Sequence, residues 1–152
     1  MDKLKLKVPP VAVFVVLVSL VFLLKHTGIA FIVPMNDHFT PTVLIAVGCV
    51  FGILGVWEFR KQNTTVNPHT PNKASSLVTS GIYRVSRNPM YFGLLLILIA
   101  VILRLENVLG FIAIPLFILY MNHFQIKPEE QIVESIFNDE YREYKNKVRR
   151  WI

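Results

Sequence analysis

The sequence predicts an all-α integral membrane protein, with about four transmembrane helices and then a cytoplasmic amphipathic C-terminal helix. Three observations predict it. Over half of the 152 residues are hydrophobic (53%), only 17% are charged, and the mean hydropathy is +0.50. A soluble domain of this length carries more charge and shorter aliphatic runs. The apolar residues gather into four stretches, at 8–24, 42–57, 90–103 and 108–121. The sixteen Lys and Arg are also partitioned: three precede the first stretch, five lie between the second and third, and six follow the fourth. Threaded as four spans with both termini cytoplasmic, the chain keeps all fourteen of these on one side, as the positive-inside rule requires.

The first span, 8–24, follows Lys3, Lys5, Lys7 and the pair Pro9-Pro10. It is long for a signal-peptide core and no small-residue cleavage site follows closely, so a retained span is expected. The outer turn that follows carries Asp37 and His38. The second span, 41–59, holds Gly48, Gly52 and Gly55. The Gly-x-x-x-Gly spacing lets a neighbouring helix of the same molecule approach closely. Cys49 lies in this span; as the only cysteine it excludes an intramolecular disulfide and a Cys-rich metal site. The first two stretches are about long enough to cross a bilayer, whereas the last two are short unless extended by their polar flanks.

A polar connection of more than twenty residues follows, with Pro68, His69 and Pro71. Connections of that length are functional or loosely structured. It ends in Ser80-Gly81-Ile82-Tyr83-Arg84-Val85-Ser86-Arg87-Asn88-Pro89-Met90-Tyr91-Phe92-Gly93, which opens the third span, 89–104. Asn88 is expected to cap that helix with its side chain, and Pro89 suits the first helical position. Free backbone N–H groups and the positive dipole end meet the arginines and tyrosines there. Lipid offers such polar groups no partners, so a cluster at a span mouth points to a binding site.

Arg104-Leu105-Glu106-Asn107 turns the chain into the fourth span, 107–123, which Gly110 and Pro115 interrupt. Asn122, His123 and Gln125 stand at its cytoplasmic end. Cytoplasmic helices are expected over 128–150, where Pro128, Glu129 and Glu130 suit a first turn. Val133, Phe137, Tyr141, Tyr144, Val148 and Trp151 recur at helical steps of four or three. Asn138-Asp139 is expected to interrupt this helix, and Tyr144 and Trp151 among Lys and Arg suit a face lying on the membrane. Residues 1–152 read as a single membrane-embedded domain.

The chain has no Ser–His–Asp order, His-Glu-x-x-His, Walker loop or Gly-x-Gly-x-x-Gly. Hydrolase, kinase and nicotinamide chemistry lack their parts, and no metal is expected. The basic excess reads as topology and contact with anionic lipid, not as a nucleic-acid surface. The cytoplasmic ends of spans three and four bring Tyr83, Arg84, Arg87, Tyr91, His123, Glu129 and Glu130 to one level. That mixture suits a zwitterionic or mixed-charge ligand with an aromatic part.

Leu77-Val78-Thr79-Ser80-Gly81-Ile82-Tyr83, Arg87-Asn88-Pro89-Met90-Tyr91-Phe92-Gly93, Pro128-Glu129-Glu130 and Phe137-Asn138-Asp139-Glu140-Tyr141-Arg142-Glu143-Tyr144 occur in that order. The set resembles the isoprenylcysteine carboxyl methyltransferase family, in its bacterial branch, whose wider superfamily includes the membrane phospholipid N-methyltransferases. The resemblance implies S-adenosylmethionine as methyl donor, held at the cytoplasmic ends of a helical hairpin in the inner membrane. By position it implies cofactor contacts from Ser75, Ser76, Leu77, Val78, Tyr83, Asn88, Pro89, Met90, Tyr91 and Glu129. Arg87, Glu130 and Gln125 are candidates for positioning, and no catalytic residue is assigned. Asn88 stands where the family usually has histidine, and Gln125 where eukaryotic members carry an arginine associated with their prenylcysteine substrate. The implied acceptor is lipophilic and enters from the bilayer: a prenyl-thiol carboxylate, a phospholipid amine or a small thiol. A non-enzymatic alternative is a lipid-binding membrane scaffold.

Overall fold

Proline, glycine and charge set where the apolar stretches become helices. The computed structural model describes residues 5–26, 37–62 and 76–152, and the elements formed among them are helical. They are α1 (Pro10–His26), α2 (Phe39–Lys61), α3 (Pro89–Leu105), α4 (Ala113–Tyr120) and α5 (Lys127–Lys147). A 3-10 turn, Gly81–Arg84, precedes α3, and a second, Val108–Ile112, leads into α4. A π-helical segment, Met121–Ile126, joins α4 to α5, so one rod runs from Val108 to Lys147. Up to the kink at Asn138 this rod extends roughly 45 Å at 1.5 Å per residue, about one and a half hydrocarbon cores. Charge begins at Lys127. The part before it is the part suited to lipid.

By length and composition, α2 and this rod can cross a membrane, whereas α1 and α3 are apolar but only 17 residues each. That alters the expected division: the second and fourth stretches are the long ones. The fourth gains its length because the π segment carries the helix through Asn122, His123 and Gln125 without a break. α5 does break in register at Asn138, where φ is 43° and ψ −116°. Asn is among the few residues that tolerate positive φ.

Contacts at the two ends fix the directions of the rods. The Leu6 N–H donates to the Phe124 carbonyl at 3.0 Å, so the start of α1 lies beside the π segment. Val21, further along α1, packs against Gly110 at the opposite end. There Arg104 Nη1 lies 3.0 Å from His38 Nδ1 and Nη2 donates to Thr42 Oγ1 at 3.3 Å, tying the end of α3 to the start of α2. α1 and α3 therefore run one way, α2 and α4 the other.

Leu17 and Val21 of α1, Leu95, Leu98 and Ile102 of α3, and Ala113, Phe117, Met121 and Ile126 of the long rod form the core. Val11, Val16, Phe22, Val50, Ile53 and Trp57 point outward. Such an apolar exterior is uncommon in a soluble monomer and natural in lipid. α2 packs along α3 through glycine: a Cβ at Gly93 would stand 2.5 Å from the Gly48 carbonyl oxygen, and one at Gly48 2.7 Å from that of Gly93. Gly48 thus serves packing inside the molecule, as expected, whereas a side chain at Gly52, the second glycine of the spacing, would meet open space.

Gly93→Ala is expected to cost on the order of 1–3 kcal/mol by forcing these backbones apart. A Cβ at Gly52 meets nothing within 4 Å, so Gly52→Ala serves as the neutral control. Thermal unfolding in detergent checks both: the first variant melts lower, the second does not.

Candidate functional site

The segment from Ser76 to Asn88 lies across the end of the bundle where α2 stops and α3 begins. Gly81 has φ +57°, and a Cβ there would collide with the Glu58 carboxylate, so glycine is required on both counts. Ser80 Oγ donates to Glu58 Oε2 at 2.6 Å, and Gln62 Nε2 donates to Ser80 Oγ at 3.1 Å. These bonds fasten the segment to α2. The ring of Tyr83 then packs edge-on against Phe59, with centroids 5.4 Å apart. Its carbonyl accepts from the Tyr144 hydroxyl at 2.7 Å, which pins α5 over the same spot. Tyr83 is 4% exposed, yet its own hydroxyl has no hydrogen-bond partner among the described residues. Burial pushes that hydroxyl well above its usual range, so it stays protonated.

Arg87 joins the two halves of the site. Nη1 donates to the carbonyls of Lys145 and Val148 at 2.9 and 3.1 Å, and Nη2 donates to Glu130 Oε1 at 2.8 Å. Nε is buried and, among the described residues, has no partner. Glu130 also accepts from Arg150, through Nε at 3.1 Å and Nη2 at 2.6 Å. The chain after α5 runs back beside Arg87: the Arg87 N–H donates to the Arg149 carbonyl at 3.1 Å, and Trp151 Nε1 donates to Asn122 Oδ1 at 3.2 Å.

Two sequence expectations are corrected here. Asn88 sits at the helix start but its side chain makes no cap; Nδ2 donates instead to the Arg150 carbonyl at 3.0 Å. The returning C-terminal segment offers that amide a nearer partner than the helix does. Tyr144 and Trp151 turn toward the protein, not along an outward face of the C-terminal helix. Tyr144 is buried against Tyr83, and Trp151 packs on the core beside Asn122.

Glu129 and Glu130 are adjacent, but a helix turns about 100° per residue, so they face different partners. Glu129 accepts from the Tyr91 hydroxyl at 2.7 Å and from Gln125 Nε2. Gln125 is buried in the π segment, one turn before Glu129 on the same side of the rod. Glu129 lies beyond the apolar part of the rod. Burial pushes its carboxyl up to about 7, although the bonds from Tyr91 and Gln125 act to lower it.

These groups surround a cleft of about 130 Å³. Of the residues expected to contact a cofactor, Ser76, Leu77, Val78, Tyr83, Asn88 and Glu129 line it, as do Arg87 and Glu130. Tyr91 and Gln125 stand behind Glu129 and reach the cleft through its carboxylate. Pro89 is wholly buried, and Met90 is turned toward Gly55 of α2. Arg84 is exposed and absent from the lining; His123 is exposed and packs on Phe124 at 4.7 Å. Ser75 and His69 lie outside the described residues. The remaining walls are Phe59, Val133, Phe137, Tyr141 and Tyr144. Four of these five formed the periodic apolar face of the C-terminal helix, so the signal was present and its partner was misassigned. A carboxylate, a buried hydroxyl and a guanidinium N–H among aromatic walls suit a ligand carrying both charges.

Removing Arg87 strands Glu130 on one side and two carbonyls. Arg87→Met is therefore expected to cost about 3 kcal/mol or more. Arg150→Met costs less, since Glu130 keeps its bond to Arg87 and Arg150 is partly exposed. The order of the two melting temperatures checks this.

A family model for phospholipid methyltransferases matches residues 36–140, which takes in α2, α3, α4 and most of α5. An uncharacterized protein of Haemophilus influenzae is 56% identical over 63 residues, spanning 41% of this chain and all of that protein. No solved structure matches the chain. The match to the family model covers well over half of the chain, including both acids and the Arg87–Tyr91 turn, and on that ground the chain belongs to the phospholipid methyltransferase family.

Proposed function

We propose that this chain is an S-adenosylmethionine-dependent methyltransferase acting on a lipophilic acceptor at the cytoplasmic face of a bacterial inner membrane. Membership of a membrane methyltransferase family supplies the reaction class. The observation that carries the reading is Glu129, held by Tyr91 and Gln125 at one wall of a cleft whose other polar wall is Tyr83 and Arg87. The donor set fits the cofactor. Glu129 suits its cationic groups, and the Tyr83 hydroxyl and Arg87 Nε–H, which have no partner among the described residues, suit its oxyanion.

In this reading residues 1–152 form one domain with four spans, the two 17-residue helices crossing with help from their polar flanks. The cleft lies at the end bearing Lys5, Lys7, Arg60, Lys61, Arg84, Arg87 and Lys127, which the positive-inside rule places in the cytoplasm. Ser76, Leu77, Val78, Tyr83, Asn88 and Glu129 contact the cofactor directly. Tyr91, Pro89 and Met90 act by setting the helix start and the Glu129 carboxylate. Arg87, Glu130 and Gln125 are positioning residues. When bound, the cofactor supplies an electrophilic methyl group; the protein's part is to align the acceptor and exclude water. The acceptor is a phospholipid amine rather than a prenyl-thiol carboxylate. Gln125 is neutral, buried and bonded to Glu129, so it presents no cation to a carboxylate.

Glu129→Gln is expected to weaken S-adenosylhomocysteine binding by about tenfold or more, the usual scale for a charged hydrogen bond. Gln retains one acceptor, so the variant stays folded. Calorimetric titration in detergent decides it, and unchanged affinity overturns the assignment. Because the carboxyl of the free protein titrates near 7 and only its charged form attracts a cation, affinity is expected to fall as pH drops from 8 to 6. A flat profile across that range would remove Glu129 from the cation's surroundings. Incubation with isotope-labelled cofactor and total membrane lipid identifies the acceptor; a labelled phospholipid amine is the expected product. A lipid-binding scaffold would show no saturable binding and no label.

A further inference from the structure

A second cavity, of about 440 Å³, shares Tyr144 with the cleft and otherwise has its own walls. Thr79 and Arg84 form one side, ahead of α3. Glu140, Glu143, Lys147 and Val148 form the other, on the limb of α5 beyond the Asn138 kink and just after it. The bonds that build the cleft also fix these walls. The Tyr144 hydroxyl is committed to the Tyr83 carbonyl, next to Arg84, and Arg87 holds the Lys145 and Val148 carbonyls on either side of Lys147.

The charges in this cavity are balanced but not spent on one another. Among the described residues, Arg84 and Glu140 enter no hydrogen bond or ion pair. Glu143 and Lys147 stand 3.7 Å apart with side chains 75% exposed, a contact of little value to the fold. Two bases and two carboxylates therefore remain for a ligand. A plain anion would meet both carboxylates, and a plain cation both bases. A small zwitterion with a phosphate and an ammonium group matches the pair. Carboxylates take N–H donors, which a primary ammonium has and a quaternary one lacks. Quaternary ammonium is held by aromatic faces, and Tyr144 is the single aromatic residue lining this cavity.

The cavity also lies where a lipid carries such groups. Arg84 comes just before α3 begins, and Val85 beside it is 49% exposed. The chain beyond Val148 returns to Asn88 and Asn122, at the mouths of α3 and the long rod. An outward valine next to a cation suits the boundary between headgroups and acyl chains. We propose that this cavity docks the phosphoethanolamine headgroup of a membrane phospholipid, its phosphate on Arg84 and Lys147 and its ammonium on Glu140 and Glu143. It is a headgroup site apart from the cleft and does not depend on the cofactor reading above.

The full chain in detergent is titrated with short-chain phosphatidylethanolamine, phosphatidylcholine and phosphatidylglycerol, and bound lipid is counted by native mass spectrometry. Phosphatidylethanolamine is expected to bind most tightly. Arg84→Gln weakens phosphatidylethanolamine and phosphatidylglycerol alike, by about fivefold, the upper end for an exposed ion pair. Glu140→Gln weakens phosphatidylethanolamine by a similar factor but leaves phosphatidylglycerol unchanged or tighter. Both side chains are exposed, so both variants melt with the unaltered protein and bind S-adenosylhomocysteine as it does. Equal losses for the two lipids in Glu140→Gln, or no loss in either variant, overturn the site. If water-soluble glycerophosphoethanolamine binds as tightly as the lipid, the membrane source is overturned.

Discussion

Arg87 commits its two terminal nitrogens to the far end of the chain, to the carbonyls of Lys145 and Val148 and to Glu130. Arg150 grips the same carboxylate from the other side, and Asn88 holds the Arg150 carbonyl. This cluster joins the mouth of α3 to α5 and to the segment beyond it. A guanidinium has five N–H donors in a fixed fork, so it can satisfy carbonyls and a carboxylate together, where an ammonium could not keep the same geometry. The cleft depends on this joint together with the Tyr91–Glu129 bond, the bond from the Tyr144 hydroxyl to the Tyr83 carbonyl and the aromatic packing around Tyr83.

The joint also explains why two neighbouring acids have different surroundings. Glu130 is neutralised by two arginines. Among the described residues Glu129 receives bonds from the neutral Tyr91 and Gln125, in a place where burial disfavours charge. A carboxyl kept near neutrality in the absence of ligand becomes a strong acceptor once a cation arrives beside it. The π segment contributes to the same end: by carrying the helix unbroken from α4 into α5, it keeps Gln125 and Glu129 on one face and brings Asn122 beneath Trp151.

Much of the fold was legible in order along the chain. Pro89 and the Glu106-Asn107 turn bound α3, Gly48 marks the close approach of α2, and Asn138 marks the break in α5; each is a local rule about φ, side-chain volume or capping. The candidate site was legible to a smaller extent. Tyr83, Arg87, Asn88, Glu129 and Glu130 could be placed at one level because they flank the ends of one hairpin. Their division of labour could not, since it depends on where residues sixty positions later return. Asn88 illustrates the limit: capping is a local preference, and a distant carbonyl displaced it.

The sequence by itself determined that the chain is helical and membrane-like, where most helices begin and end, and which polar residues crowd their mouths. Those properties follow from hydropathy, periodicity and backbone preference, all short-range. Only the tertiary structure decided that the apolar stripe of Val133, Phe137, Tyr141 and Tyr144 folds onto the hairpin as the walls of the cleft. An amphipathic face needs an apolar partner, and its periodicity is identical whether that partner is lipid or protein. The choice was made by hydrogen bonds from Arg87, Asn88 and Tyr144 across some sixty residues of sequence, which no local pattern records.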